Sequence, residues 1–207
     1  MQHYSRHPGD GARHTENAEM KDLPNAEEIY LRYIKEFDDK DIETLLLAYR
    51  DGLYMFLLNY VKCEEDAEEL LLDTFAKLAV DKPHFDPKRG GSFKSWLYAI
   101  ARNNALMHIR KRKMQTVPLE EEFVSDADTP ESALLKDERD RKVYMALGSL
   151  NPEYRTALRL LYFEELSHEE IAQAMGLKLK QVYNLIERGK KSLKKALEGM
   201  GITDAKY

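Results

Sequence analysis

The sequence predicts an all-α protein with two helical domains joined by an acidic linker. Apolar residues recur at the three- and four-residue spacing of amphipathic helices, and no alternating pattern long enough for a strand occurs. Of the 207 residues, 43% are hydrophobic and 33% are charged, so the chain can bury real cores beneath charged helix surfaces. Only ten glycines interrupt these patterns.

The N-terminal residues 1–24 are polar, contain Gly and Pro, and lack periodicity. They predict a disordered or loosely attached tail. Its histidines are not spaced for a helical metal site, so no metal and no cofactor is expected. No apolar run approaches the roughly 20 residues that span a membrane, no hydrophobic signal region is present, and Cys63 has no partner for an internal disulfide. These features predict a cytoplasmic protein.

Residues 25–114 predict the first helical domain. Asn25 and Glu28 favour the start of a short helix, which the acidic run Asp38 to Asp41 then interrupts. Two longer helices are predicted over 42–62 and 65–80, and the second carries an acidic flank. Six acidic residues are more than helix capping requires, so this flank is also a candidate docking surface for a basic partner.

A basic helix over 93–113 completes this domain. Eight Lys or Arg and no Asp or Glu lie between Lys88 and Lys113, in a chain whose net charge is -5. Such a concentration favours binding to a polyanion, although a solvated helix face has the same pattern. Helical spacing predicts that one side is buried and the other exposed; the buried side comprises Phe93, Trp96, Leu97, Ile100, Asn104 and Met107, and the exposed side Lys94, Tyr98, Arg102 and Lys113.

Residues 115–130 change to acidic and aperiodic composition, which predicts an extended linker. At roughly 3.3 Å per residue such a segment spans about 50 Å, more than the 34 Å or so of one DNA turn. The linker can therefore hold two modules on separate stretches of DNA.

The second predicted domain covers 131–198, followed by a tail over 199–207. Asn151 and Pro152 favour a helix start, and Ser167 to Glu170 predict a capping box that opens a short helix. Gly176 ends that helix, and a basic helix follows from Leu179 to Ala196. A short helix, a tight turn with Gly and a second helix are typical of a helix-turn-helix, although an ordinary helical hairpin shows the same periodicity.

The second helix of this motif and its cap carry the residue types that reach base edges and phosphates in a major groove. These are Lys178, Lys180, Gln181, Tyr183, Asn184, Arg188, Lys190 and Lys191. Val182, Ile186 and Leu193 between them are predicted to be buried. The sequence contains no HExxH, no P-loop and no dinucleotide-binding turn, and capping explains His168-Glu169-Glu170, so no enzyme is expected.

These segments together resemble bacterial RNA polymerase sigma factors of the extracytoplasmic-function (ECF) class. The stretch DAEELLLDTFAKL is similar to their core-polymerase-binding helix, and FKSWLYAIARNNALMHIRKRK to the helix that opens the minus-10 promoter element. The segment from Leu150 to Leu197 resembles region 4, which reads the minus-35 element. The resemblance implies region 2 over 25–114 and region 4 over 131–198, with no catalytic residue.

The resemblance also implies the partners and contacts of the chain. It predicts docking on the clamp of the largest polymerase subunit through Glu68, Glu69, Leu72, Asp73 and Phe75. It predicts minus-10 contacts by Lys88, Arg89, Lys94, Trp96, Asn103, Asn104, Arg110, Lys111 and Arg112. The eight residues of the second basic helix and its cap would contact the minus-35 element. An anti-sigma factor is a further expected partner.

Four positions differ from the common residues of the class. Leu72 stands where Gln is common, Met107 where Asp is, Lys178 where Ser is and Leu185 where Arg is. These differences bear on clamp affinity and promoter sequence. Two alternatives are a helix-turn-helix regulator that acts without polymerase and a sigma-like adaptor or decoy that binds only protein. Promoter selectivity that depends on polymerase argues against the first alternative, and any DNA binding argues against the second.

Overall fold

A computed structural model of the protein describes residues 25–87, 90–115 and 138–202. These ranges contain α-helices joined by turns and no strand, which confirms the predicted fold class. The helices are α1 (Ala26–Glu36), α2 (Asp39–Val61), α3 (Glu64–Val80), α4 (Phe93–Gln115), α5 (Glu138–Gly148), α6 (Pro152–Tyr162), α7 (His168–Met175) and α8 (Leu179–Gly199). The predicted N-terminal tail, almost all of the linker and residues 203–207 lie outside the described residues.

The described chain divides into two compact units, one that ends at Tyr49 and one that begins at Arg50. In the first unit, Asn25 caps α1 by accepting a hydrogen bond from the Glu27 N–H at 3.3 Å. The guanidinium of Arg32 on α1 donates hydrogen bonds to the buried carboxylate of Asp41 on α2. These bonds stabilise the ionised carboxylate and so lower the pKa of Asp41.

A short break at Phe37 and Asp38 separates α1 from α2. Asp39 to Asp41 of the acidic run, which we expected to lie in the interruption, already belong to α2. Helix α1 ends at Glu36, and the residue that follows and caps it, Phe37, has a left-handed φ of 60°. The Asp38 carboxylate accepts a hydrogen bond from the Lys40 N–H at 3.1 Å, and α2 begins at Asp39 instead of Ile42.

In the second unit, α3 packs against α4, and α8 packs against α5, α6 and α7. The aromatic rings of Phe85, Phe93 and Trp96 meet at the start of α4, with centroids 5.3 to 5.7 Å apart. Helix α7 also lies directly against α4. Within the described residues, no helix combines the length and apolarity that crossing a membrane requires.

Candidate protein and nucleic-acid interfaces

The outward side of α3 joins an apolar stripe to acidic side chains. Leu72 is 60% exposed and Val80 is 78% exposed, and Ala76 lies between them at helical spacing. Glu68, Glu69 and Asp73 lie exposed beside the stripe and are the predicted docking residues of this helix together with Leu72 and Phe75. Exposed apolar side chains with charge around them are typical of a protein interface.

Phe75 does not share this surface. It is only 4% exposed and packs in the core with Leu71 and Leu78 on the inward side of α3. In the structure its ring therefore supports the helix from beneath, and the acidic and Leu72 side chains above it are the groups that a partner reaches.

The C-terminal end of α4 forms a basic, partly apolar surface. Arg110 and Lys111 are exposed and line an open hollow with Met107 and Met114. Met107 was expected on the buried side of the helix, but 53% of it is exposed. In this part of α4 the residues that contact α3 include Asn104, His108 and Arg112.

Asp66 at the start of α3 contacts this same C-terminal end of α4. Its carboxylate is paired with the Arg112 guanidinium, and its Oδ2 lies 3.4 Å from Nε2 of His108. Arg112 is still exposed to solvent, so it contributes to the basic surface while it anchors the helix.

Trp96 and Tyr98 lie deeper than surface residues. Trp96 is half-buried in the aromatic cluster with Phe85 and Phe93. Tyr98, which we expected on the exposed side, is fully buried and its ring packs edge-on against Phe56 at 5.0 Å. The spacing pattern predicts one buried side for a helix that packs against one partner. Helix α4 has more than one packing partner, so Tyr98 is buried although it lies on the side that the pattern predicts to be exposed.

Asn104 ties α4 to α3 and does not face solvent. It is 8% exposed, and its Nδ2 donates a hydrogen bond to Thr74 Oγ1 at 3.2 Å. The Thr74 hydroxyl in turn donates to the Leu70 carbonyl at 2.7 Å. The neighbouring Asn103 is exposed, so of the two amides predicted to contact DNA it is the accessible one.

Replacing Thr74 by Val is expected to lower the free energy of unfolding by about 1–3 kcal/mol, because the buried Asn104 amide loses its acceptor. Urea denaturation followed by circular dichroism measures this change. Thr44→Val is the matched control, since the Thr44 hydroxyl makes the same bond to Lys40 O at 2.7 Å on an exposed stretch. That control should stay within about 0.5 kcal/mol. Equal losses for both variants would contradict a special role for the buried pair.

The helix-turn-helix predicted from sequence is formed by α7, its turn and α8. The Ser167 N–H donates to Glu170 Oε2 at 2.8 Å, and the Glu170 N–H donates to Ser167 Oγ at 3.2 Å, which completes the capping box. Gly176 ends α7 with a φ of 61°. A Cβ there would lie 2.6 Å from the Arg102 guanidinium, so both backbone conformation and space require glycine.

The eight predicted residues of α8 and its cap are all exposed. Val182, Ile186 and Leu193 are buried, as expected. Tyr183 stacks on the ring of His168 with centroids 4.4 Å apart, and the Lys178 N–H donates to Gln181 Oε1 at 2.8 Å. The arrangement presents a continuous row of donors and cations along one helix, which fits a major groove.

A set of polar contacts joins the helix-turn-helix to the start of α4. Lys94 Nζ lies 2.7 Å from Glu164 Oε2 and donates to the Glu164 carbonyl at 2.9 Å. The Ser95 hydroxyl donates to Gln173 Oε1 at 2.7 Å. We call this set, with the Ser92–Glu170 hydrogen bond described next, the closed interface.

Two pKa shifts arise at or beside the closed interface. Burial raises the pKa of Glu170, but hydrogen bonds from Ser92 and Ser167 outweigh it, so its pKa is lowered overall. Burial raises the pKa of Tyr60, and the hydrogen-bonded Arg102 guanidinium opposes part of that rise. The first shift thus reflects a contact between Ser92 of the predicted first domain and the Glu170 carboxylate of the second, whereas Tyr60 and Arg102 both belong to the first domain.

Two protein-family models match the segments that carry these surfaces. Sigma-70 region 2 matches residues 45–114, and Sigma-70 region 4 matches residues 140–193. The RNA polymerase sigma-H factor of Pseudomonas aeruginosa is 30% identical over 177 residues, covering 80% of this chain and 90% of that protein. The chain belongs to the ECF family of RNA polymerase sigma factors.

Other members of the ECF family show the same match. The ECF RNA polymerase sigma factor SigW of Bacillus subtilis is 26% identical, with 82% of this chain and 96% of that protein covered. Among solved structures, the sigma factor RpoE in complex with the anti-sigma factor NepR from Bartonella quintana has a TM-score of 0.57 at 24% identity, and covers 77% of this chain and 98% of its own. This likeness shows a shared fold.

Sequence reasoning about this sigma factor missed several supporting residues. Thr74 was detectable, because it is a hydroxyl among the apolar positions of α3. Glu164 and Gln173 carry no such signal, since their partners on α4 are about 70 to 78 residues away in the chain. Lys88 and Arg89, predicted to contact DNA, lie outside the described residues.

Proposed function

We propose that this ECF sigma factor binds core RNA polymerase, recognises the minus-35 and minus-10 promoter elements and directs transcription initiation. One observation carries the proposal: a single chain presents an acidic and apolar helix for protein beside two basic helices for DNA. The chemistry of RNA synthesis belongs to the polymerase, and this chain supplies recognition.

Core polymerase is proposed to bind the outward side of α3. Leu72 supplies apolar contact, while Glu68, Glu69 and Asp73 attract a basic clamp surface. Phe75 contributes by holding the helix in place, because it is buried. Leu72 in place of a glutamine makes this contact more apolar than is common in the class.

The minus-10 element is proposed to bind along α4 and the loop before it. Asn103, Arg110, Lys111 and Arg112 are exposed there, and Lys94 lies near the start of the helix. Unstacking a base costs a few kcal/mol, so an extruded base needs a pocket. The exposed thioether of Met107 beside Arg110 offers apolar and cationic contact to such a base.

The minus-35 element is proposed to bind α8. Its first turns carry Lys178, Lys180 and Gln181, the positions that a recognition helix directs at base edges. Arg188 and Lys191 lie exposed further along the helix, and we propose that they contact phosphates. Region 2 would thus cover 25–114 and region 4 131–198, with an anti-sigma factor as the regulatory partner.

The double variant Arg188→Ala and Lys191→Ala should weaken duplex binding and lower the slope of log affinity against log salt by up to about two, at roughly 0.9 per lost phosphate contact. Affinity measured by fluorescence anisotropy at several salt concentrations gives this slope. The charge-matched control is Lys35→Ala with Lys40→Ala, which removes two exposed cations outside both DNA surfaces. An unchanged slope in the first variant would remove Arg188 and Lys191 from the interface.

Selection of duplex fragments tests whether sequence recognition requires both this chain and core polymerase. A pool of genomic fragments is incubated with this chain, with core polymerase, or with both, and the retained sequences are compared. The proposal expects sequence selection by the assembly of both components. Equal selection by the chain without polymerase would favour a helix-turn-helix regulator, and no selection with stable polymerase binding would favour a decoy.

A further inference from the structure

The C-terminal end of α4 carries an open hollow between two exposed methionines. Met107 and Met114 line it together with Arg110 and Lys111, and the spacing of these four positions places them on one side of the helix. Met107 is 53% exposed and Met114 is 88% exposed. We call this feature the methionine hollow. Its volume of about 430 Å³ falls within the range of small-ligand sites.

The side chains of the methionine hollow accept few hydrogen bonds. The thioethers are apolar and only weakly accepting, while Arg110 and Lys111 are donors without an acceptor. Among the described residues that line the hollow, no side chain carries an oxygen atom. The nearby carboxylate of Asp66 contacts His108 and Arg112, which lie on a different side of α4. A ligand that fits the hollow therefore offers apolar surface and hydrogen-bond acceptors.

The charge around the methionine hollow indicates the class of this ligand. Residues 110–113 are successive Lys and Arg residues, and no Asp or Glu occurs between Lys88 and Lys113. Such a surface attracts a polyanion. A DNA strand supplies the phosphates, and the flat faces of its bases pack well on thioether and guanidinium groups. The hollow thus fits a base of an unpaired DNA strand.

Thymine matches this chemistry best among the four bases. Adenine, cytosine and guanine each carry an exocyclic amino group, whereas thymine has two carbonyl acceptors, a C5 methyl group and the fewest N–H donors. An amino group in the hollow would face two cations and would lack an acceptor, which is unfavourable. The thymine carbonyls can accept hydrogen bonds from Arg110 and Lys111 while the methyl group packs on Met107.

We propose that the methionine hollow selects an unpaired thymine of the minus-10 element and that Met107 determines this preference. The inference rests on the proposed function, because it assigns base recognition within the DNA surface of α4. Arg110 and Lys111 bind the thymine carbonyls and the adjacent phosphates. Met107 contacts the ring and its methyl group, and its side chain supplies no acceptor to an amino group.

Four labelled single strands of about 12 nucleotides separate the two features of thymine. Each strand contains one base only, which is thymine, uracil, 5-methylcytosine or cytosine, so the methyl group and the amino group vary independently. Fluorescence anisotropy gives the dissociation constants. The unmodified chain should bind the thymine strand about two- to fourfold more tightly than the uracil strand, because one methyl group is partly buried. It should bind the thymine strand at least about threefold more tightly than the 5-methylcytosine strand.

Substitution of Met107 tests its role as the determinant. Met107→Gln keeps the length of the side chain and adds an amide acceptor, so both preferences should fall below about 1.5-fold. Met107→Leu is the conservative variant and should keep both preferences, because leucine is apolar and has no acceptor. Met145→Gln is the matched control, since Met145 on α5 is 42% exposed and lies outside both proposed DNA surfaces. It should bind all four strands as the unmodified chain does.

Transcription with core polymerase from a genomic library provides the second measurement. The unmodified chain and Met145→Gln should share start sites with a thymine position in the minus-10 element that Met107→Gln no longer requires. Equal binding of the thymine and uracil strands, no binding of any strand, or unchanged base preferences in Met107→Gln would overturn the inference. Start sites that lack this thymine position would also overturn it but would support the proposed function. If the unmodified chain gives no start sites, the proposed function fails, and the role of the hollow in promoter recognition fails with it.

Discussion

The double variant Glu69→Lys and Asp73→Lys is expected to weaken binding to core RNA polymerase by about 100-fold or more. Both carboxylates lie exposed beside Leu72 on α3, and reversal places like charges against a basic clamp at a cost of several kcal/mol. Interferometry with immobilised core polymerase measures the dissociation constant. The association rate should fall as well, because steering by opposite charge is lost.

The control for this experiment is Glu43→Lys with Asp51→Lys, two exposed carboxylates of α2 outside the proposed docking surface. This pair has the same change in net charge and should shift the dissociation constant by less than about threefold. If both double variants lose affinity equally, overall charge and not the surface of α3 governs the encounter, and the proposed docking site is wrong.

Replacing Arg155 by Ala is expected to lower the free energy of unfolding by about 3–5 kcal/mol. Arg155 is buried on α6, and its Nη2 donates to the Gly148 carbonyl at 2.6 Å and to the Leu150 carbonyl at 3.2 Å. Its loss leaves a cavity and removes two charge-assisted bonds that fix the turn between α5 and α6. Urea denaturation followed by circular dichroism measures the effect.

Arg159→Ala is the matched control, because Arg159 lies one turn further along α6 and is only half-buried. Its guanidinium rests near the rings of Tyr144 and Phe163, at 5.9 and 5.6 Å from their centroids. Loss of such contacts costs about 0.5–1 kcal/mol at exposed sites. A similar cost for both variants would mean that the two carbonyl bonds of Arg155 add little to stability.

The sequence predicted the helices well because their signals are local. The Ser167 capping box, the Gly176 turn and the buried positions of α8 depend on residues three or four apart, and the structure contains them as expected. The starts of α3, α4 and α6 fell within one residue of the prediction. Local hydrogen bonds and one apolar face decide all of these features.

The sequence failed where a residue has neighbours on more than one side. Helical spacing assigned Tyr98 to the exposed side of α4, because it contains no information about a second packing partner. The same spacing correctly assigned Asn104 to the buried side, and it was the family resemblance that assigned Asn104 to DNA. Tyr98 is buried against Phe56, and Asn104 is bonded to Thr74. A polar residue on a helix can bind a ligand or can form a hydrogen bond that joins two helices. Only the tertiary structure shows which of these two roles it has.

The closed interface was not predictable for a related reason. Lys94 and Glu164 are 70 residues apart and each is an ordinary surface residue in its own helix or turn. An acidic linker between two modules predicted that they can separate. Whether the free chain forms the closed interface depends on the combined free energy of a few polar contacts between distant segments. The sequence of any one segment does not reveal these contacts.

In vitro transcription from a genomic fragment library most directly tests the central claim that this chain selects promoters for RNA polymerase. Core polymerase from the source bacterium is used with and without the purified protein, and start sites are mapped by sequencing the transcripts. The account predicts new start sites that share two upstream elements, and their loss in the Glu69→Lys and Asp73→Lys variant. An unchanged set of start sites, with the protein stably bound to core polymerase, would contradict it.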